Sequence, residues 1–246
     1  MKNIKLLIKY DGTAFSGWQK QKQKRTVQGE LEAAAAKIEG QPVKITGAGR
    51  TDAGVHALGQ CANLFSASKT PPEAYMHRLN ALLPPDIRVA SSSEVEEGFS
   101  ARYSARGREY VYLIALSGLY GPVMRNYCYA PDRKIDVTLM KKASERVLSS
   151  GKAWRISRER AEKPGKHPLI LQSLKVKELK SLGMLLISVR ANYFLHGMVR
   201  MIAGTMYEIS AGIADMSHID KIIEGPPDIK IFCAPPEGLY LSLVLY

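Results

Sequence analysis

Cysteine is scarce in this chain and scattered. Cys61, Cys128 and Cys233 are odd in number, far apart, and form no Cys-x-x-Cys pair. That argues against a disulfide framework or a structural zinc site and leaves buried free thiols in a reducing compartment as the expectation. None of the five histidines stands at a ligand-like spacing from a carboxylate or cysteine, so no metal is expected. Long apolar runs are missing too, and nothing approaches the ~18 residues of a membrane span. Met1 leads within a few residues into Ile4-Lys5-Leu6-Leu7-Ile8-Lys9-Tyr10, which alternates like a strand and lacks the apolar core of a signal peptide. A cytoplasmic protein with no membrane association is expected. Acidic residues are in deficit, 23 against 35 Lys plus Arg, a formal charge of +12. Basic groups near phosphates release condensed counterions, so the surplus points to a polyanionic partner, although charge alone does not separate nucleic acid from other partners. Nucleotide loops are absent as well. In the Gly47 segment Asp52 takes the place of the third glycine of Gly-x-Gly-x-x-Gly, and no Gly-Lys-Ser/Thr follows.

What is present is an ordinary globular composition, 46% hydrophobic and 24% charged over 246 residues, enough for a sizeable core in one or two domains. Ile4, Leu6, Ile8 and Tyr10 predict a half-buried strand closed by Asp11-Gly12. Val27, Leu31, Ala34, Ala35 and Ile38 mark a helix stopped by Gly40. Val43 to Thr46 reads as a short strand entering the Gly47 loop and Ala57 to Phe65 as the strand leaving it. A helix over Glu73 to Leu83, ended by Pro84-Pro85, precedes strands at Ile87 to Ala90 and Tyr110 to Ala115. Gly118 to Lys134 reads as a connection, and Asp136 caps a helix with Leu139, Ala143 and Val147 on one face. Strands at Leu171 to Val176 and Leu185 to Val189 join near Gly183, a long helix covers Leu195 to Ala211, and a last strand alternates through Leu239, Leu241, Leu243 and Leu245. The order divides the chain into two α+β halves, 1–115 and 116–246, alike in element types without a visible sequence repeat.

The most informative run is Gly47-Ala48-Gly49-Arg50-Thr51-Asp52-Ala53-Gly54-Val55-His56. It holds a guanidinium and a carboxylate two residues apart on a loop with three glycines, which let a ligand come close to the backbone. On residue type alone, Asp52 reads more readily as a turn former. The run continuing to Gln60 resembles the active-site segment of the tRNA pseudouridine synthase A family, and Asp52 matches that family's catalytic aspartate. Tyr10 to Gln19, the strand around Tyr110, Tyr193 to Gly204, and Glu237 to Leu241 are similar to the family as well. Between Ser149 and Gln172 the likeness fades, because the aromatic pair and the Thr-Arg pair usual there are missing.

The resemblance implies a cofactor-free isomerase of the pseudouridine synthase fold. Two ferredoxin-like or RNA-recognition-like halves would fuse into one extended antiparallel sheet with flanking helices, with the site in a basic cleft. It also implies a homodimer acting on uridines 38, 39 and 40 of the tRNA anticodon stem-loop. Such an enzyme breaks an N-glycosidic bond, turns the base and rejoins it through C5. Asp52 would serve as nucleophile or as a base toward the ribose, and both routes stay open. The target must leave its stack, and Arg50 would fill the space or hold the displaced backbone. Tyr110 would stack on the uracil, although a core tyrosine on a strand fits the same residue. By helical periodicity Met198, Ile202, Thr205 and Ile209 share one face, with His196, Arg200 and Gly204 opposite. The resemblance makes Arg200 the partner of Asp52, and His196 is left structural. Two basic stretches, Lys20, Lys22, Lys24 and Arg25, and then Arg155, Arg158, Arg160, Lys163 and Lys166, fit either tRNA backbone contacts or solvated loops. A non-catalytic RNA-binding protein of the same fold and a small-molecule nucleoside enzyme are the alternatives. The intact Gly-Arg-Thr-Asp run weighs against the first, and the charge and missing nucleotide loop against the second.

Overall fold

Strand β1 (Lys2–Tyr10) buries Ile4, Leu6, Ile8 and Tyr10 as its alternation predicts. The computed structural model describes residues 1–116, 121–158, 168–226 and 229–246. It divides into two compact units, Met1–Arg106 with Tyr240–Tyr246, and Gly107–Leu239. Both are mixed α+β with mostly antiparallel strands.

In the first unit, α1 (Val27–Glu39) starts where the Thr26 side chain accepts the Gly29 N–H and stops at Gly40, whose φ of 69° is left-handed. After α1 come β2 (Thr46–Gly47), β3 (His56–Ser66), α2 (Pro72–Leu82) and β4 (Ile87–Val95). The order β-α-β-β-α-β, with β4 and β3 flanking β1 and β2 beside β3, is the ferredoxin-like arrangement. The outer edge of β3 is shared. Ala62 and Asn63 pair with β2, and His56 and Ala57 pair in parallel with Tyr240 and Leu241 of β8 (Leu239–Leu245).

The strand expected over Val43 to Thr46 does not form there; β2 spans only Thr46–Gly47. The backbone of Ile45 is taken by side chains from α1 instead. The Glu32 carboxylate accepts its N–H at 3.2 Å, and Gln28 donates to its carbonyl at 2.9 Å. The alternation read for the last strand also breaks. Leu243 is 41% exposed and Val244 is buried, beyond the point where Gly59 lies so close to the Ser242 carbonyl that a Cβ would come within 2.2 Å.

In the second unit, β5 (Gly107–Ala115), the short α3 (Gly121–Met124), α4 (Val137–Ser149), β6 (Leu171–Leu179), β7 (Met184–Ala191), α5 (Met198–Ser210) and α6 (Ser217–Glu224) follow in order. Strand β7 lies between β5 and β6 and is antiparallel to both, as β3 lies between β1 and β2. Strand β5, placed by the sequence reading at the end of the first half, belongs to this unit. Asp136 caps α4 by accepting the Leu139 N–H, as expected. The buried face of α4 centres on Met140, Ala143 and Val147, with Leu139 only half-buried. Helix α5 begins at Met198 rather than Leu195, because Gly197 is left-handed at φ 69° and breaks the helical run. His196 therefore precedes the helix and is exposed. Helix α6 was not anticipated, although Ile219, Ile222 and Ile223 are buried along it.

Candidate active site

The Gly47–His56 loop is held by the end of β1, by the segment that follows it and by β3. The Tyr10 hydroxyl meets Thr51 Oγ1 at 2.8 Å, and the Trp18 N–H donates to the Thr51 carbonyl at 3.1 Å. A Cβ on Gly47 would fall 2.5 Å from the Trp18 ring, and one on Gly12 would fall 2.0 Å from the Val55 carbonyl oxygen. From β3, Gln60 donates to the Gly49 carbonyl at 2.8 Å, and the Ala48 N–H donates to the Cys61 carbonyl at 2.7 Å.

Asp52 opens a tight turn inside this frame. Its carbonyl accepts the Val55 N–H at 3.2 Å, and Gly54 at the third position has φ 79°, a conformation that favours glycine there. Thr51 and Val55 on either side are buried, Asp52 is half-buried and Arg50 is exposed. A half-buried carboxylate on a loop whose backbone is fixed on both sides suits direct attack or proton removal on a bound ligand. Tyr10→Phe removes the hydroxyl that steadies Thr51. It should lower unfolding free energy by about 1 kcal/mol, read by urea denaturation, and slow turnover while tRNA affinity stays unchanged.

The second unit holds the other two sequence-predicted residues. Tyr110 on β5 is buried and meets Phe194 edge-on at 5.0 Å. Two residues along, on the same strand face, the Tyr112 hydroxyl donates to the Pro235 carbonyl at 2.8 Å. Burial and then the Glu237 carboxylate push that hydroxyl's pKa far up, and the Arg200 guanidinium works against both. Arg200 lies in the first turn of α5 and is half-buried. Its Nε donates to the Ala234 carbonyl at 2.8 Å, and the Ala234 N–H returns a bond to the Arg200 carbonyl at 3.1 Å. The Nε bond ties one edge of the guanidinium to the backbone.

The basic stretches separate into engaged and outward residues. Lys20 pairs with Glu32 at 2.9 Å. Arg25 grips Asp86 through both terminal nitrogens at 2.7 and 3.0 Å, contacts Glu30, and lies over the Phe15 ring at 4.2 Å. Its guanidinium is thus committed within the unit. Lys22 and Lys24 sit exposed on a tight turn, with Gln21 bridging Lys24 and Gln23 at φ 60°. Arg155 donates to the Ile223 and Gly225 carbonyls at the end of α6. Arg160, Lys163 and Lys166, with residues 159–167 of the divergent segment, lie outside the described residues.

The model of a tRNA pseudouridine synthase family matches residues 6–104 and 152–246. The chain belongs to the tRNA pseudouridine synthase family. It is 40% identical to tRNA pseudouridine synthase A of Caldicellulosiruptor saccharolyticus and 36% identical to that of Thermoanaerobacter sp., covering 100% of both chains in each comparison. It is 35% identical to tRNA pseudouridine synthase A 2 of Bacillus cereus, over 99% of each chain. Family membership places the Asp52 loop in an isomerase, and the structure adds what sequence reading missed. Tyr10, Gly12, Gly17 and Trp18 hold the loop that carries Asp52, and His56 closes it. The sequence signal for this support was the similar run from Tyr10 to Gln19, read there only as likeness. Among the described residues no helix is long and apolar enough to cross a membrane.

Proposed function

We propose that this chain converts uridine to pseudouridine at positions 38, 39 and 40 of the tRNA anticodon stem-loop, with Asp52 as the catalytic carboxylate. The observation that carries the proposal is the braced loop, in which a half-buried aspartate opens a turn whose flanking residues are fixed by Tyr10, Gly12 and Trp18. Family membership and the names of full-length relatives support the reaction class. On the family's pattern, Arg50 assists flipping, Tyr110 stacks on the freed uracil, and Arg200 is the guanidinium partner of Asp52. The first half supplies the carboxylate loop and the second completes the site. The working form is a cytoplasmic homodimer that needs no cofactor.

The test maps pseudouridine at single-nucleotide resolution in unmodified tRNA after incubation with the protein. Product confined to positions 38 to 40 supports the proposal. Product elsewhere overturns the positional assignment, and tRNA binding without product overturns the catalytic one in favour of an RNA-binding protein. Sedimentation at working concentration tests the dimer.

Binding should weaken with salt, since phosphate contacts release counterions. Replacing Lys22 or Lys24 by alanine should lower the slope of log affinity against log salt by about one per lysine. Lys20→Ala should change the slope less, because that ammonium already faces Glu32. Fluorescence anisotropy with labelled tRNA across a salt series reads both.

A further inference from the structure

His56 is buried to 2% exposure, and the reaction proposed above gives it no part. Its Nδ1 accepts the Gly12 N–H at 3.0 Å. Acceptance of this bond assigns Nδ1 as the unprotonated nitrogen and the ring hydrogen to Nε2. The Asp11 carboxylate lies 3.3 Å from the same Nδ1, and that oxygen is already an acceptor for the Thr13 N–H and hydroxyl. The ring face stacks on Tyr240 of β8 at 4.7 Å and 21°. His56 therefore ties the Asp11-Gly12 turn, the end of the Asp52 loop and the last strand together within the first unit. The anchor nearest before Asp52 is Thr51, held by Tyr10 and Trp18, and beyond the turn that follows it His56 is held by Gly12.

We propose that His56 is a positioning residue that sets the location of the Asp52 carboxylate through its Nδ1 bond to Gly12. The bond fixes the distance between the Asp11-Gly12 turn and the residue four places after Asp52. Without it, the far end of the turn from Asp52 to Val55 loses its side-chain tie to Gly12 and the carboxylate drifts from the reacting ribose. A misplacement of ~1 Å at a reacting group costs about 10²-fold in rate. Substrate affinity, set mainly by phosphate contacts elsewhere, is unaffected.

The inference rests on Asp52 being the reactive carboxylate. Two amides separate the atom from the ring. Asparagine at position 56 places an oxygen where Nδ1 stands and restores the acceptor. Glutamine places its polar atoms near the Nε2 position and leaves Gly12 without a partner. His56→Asn should keep kcat within about three-fold of wild type, and His56→Gln should lose about 10²-fold in kcat with KM and tRNA affinity unchanged. Equal kcat for the two variants, or an effect confined to KM, overturns the proposal. ¹⁵N chemical shifts of His56 in the wild-type protein give a check that needs no variant. An unprotonated Nδ1 at the pH of the assay is expected, and a protonated Nδ1 overturns the proposal even if both variants fail to fold. Wild type and Asp52→Ala run alongside. A wild type that forms no pseudouridine, or an Asp52→Ala variant that forms it, overturns the catalytic reading and this inference with it. Equal turnover of the two amides beside an active wild type overturns the role of His56 alone.

Discussion

Asp52→Asn should abolish pseudouridine formation while the variant still folds and still binds tRNA. The substitution is nearly isosteric, so the turn closed by the Val55 N–H on the Asp52 carbonyl is kept, as are the two anchors of Thr51 just before it. What disappears is the ionised oxygen that either route requires. A carboxamide neither attacks a sugar carbon nor accepts a ribose proton at neutral pH. Loss of a positioned base costs up to about 10⁴-fold, and loss of a nucleophile no less. A fall of 10³-fold would already correspond to about 4 kcal/mol of transition-state stabilisation. Binding should move the other way. Removing a negative charge from a surface that meets phosphates relieves repulsion, so tRNA affinity should hold or rise slightly. Single-turnover assays with saturating enzyme give the chemical step, and anisotropy gives the affinity. Undiminished turnover would remove Asp52 from the reaction, and a parallel loss of binding and turnover would make it a folding or docking residue instead.

Local periodicity made most of the elements legible. The alternation of Ile4, Leu6, Ile8 and Tyr10 and the helical spacing of Val27, Leu31, Ala34 and Ala35 describe faces that the fold does bury. Two of the failures share a cause, in that a distant partner decided the local conformation. Ile45 sits in an alternating stretch that looks like a strand, yet Glu32 and Gln28 on α1 take its hydrogen bonds. Leu243 continues a two-residue alternation, yet it turns outward beyond the close contact of Gly59 with Ser242. At the start of α5 the pattern of apolar residues runs through Leu195 without a signal that Gly197 would be left-handed.

The same distinction runs through the site. Arg50 and Asp52 are close in sequence, so a single motif displays both. Their support is spread along the chain, with Thr51 held by Tyr10 across 41 residues and His56 by Gly12 across 44. No spacing rule links such pairs. His56 stood inside the recognised run and still went unread, because its meaning lies in the Gly12 amide and the Tyr240 ring. Arg25 shows the reverse. It sat in a basic stretch that fitted either a phosphate contact or a solvated loop, and in the structure it pairs with Asp86 and Glu30 and lies over the face of Phe15.

Gly17→Ala should be a strongly damaging single-methyl change near the site, and it has an internal control. Gly17 has φ 89°, and a Cβ there would fall 2.6 Å from the Thr51 carbonyl oxygen, 3.2 Å from the Asp52 carbonyl carbon and 3.3 Å from the Ala53 nitrogen. All three are backbone atoms, so no side chain can swing aside. The glycine cannot retreat either, because its carbonyl accepts the Val27 N–H at the start of α1 and the next residue donates to Thr51. The left-handed conformation costs an alanine about 1–2 kcal/mol, and overpacking adds about 1–3. A total of about 3 kcal/mol is expected in urea denaturation, with turnover lower by about 10²-fold as Thr51 and Asp52 are pushed aside. Gly40 at the end of α1 has φ 69°, and a Cβ there would meet nothing within 4 Å. Gly40→Ala therefore isolates the conformational term, and it should lose about 1 kcal/mol with full activity. The difference between the two alanines measures how tightly the Gly17 turn holds the Asp52 loop. Equal stability loss and equal turnover in both would mean that the loop moves freely past Gly17, and the bracing that carries the proposed chemistry would have to be abandoned.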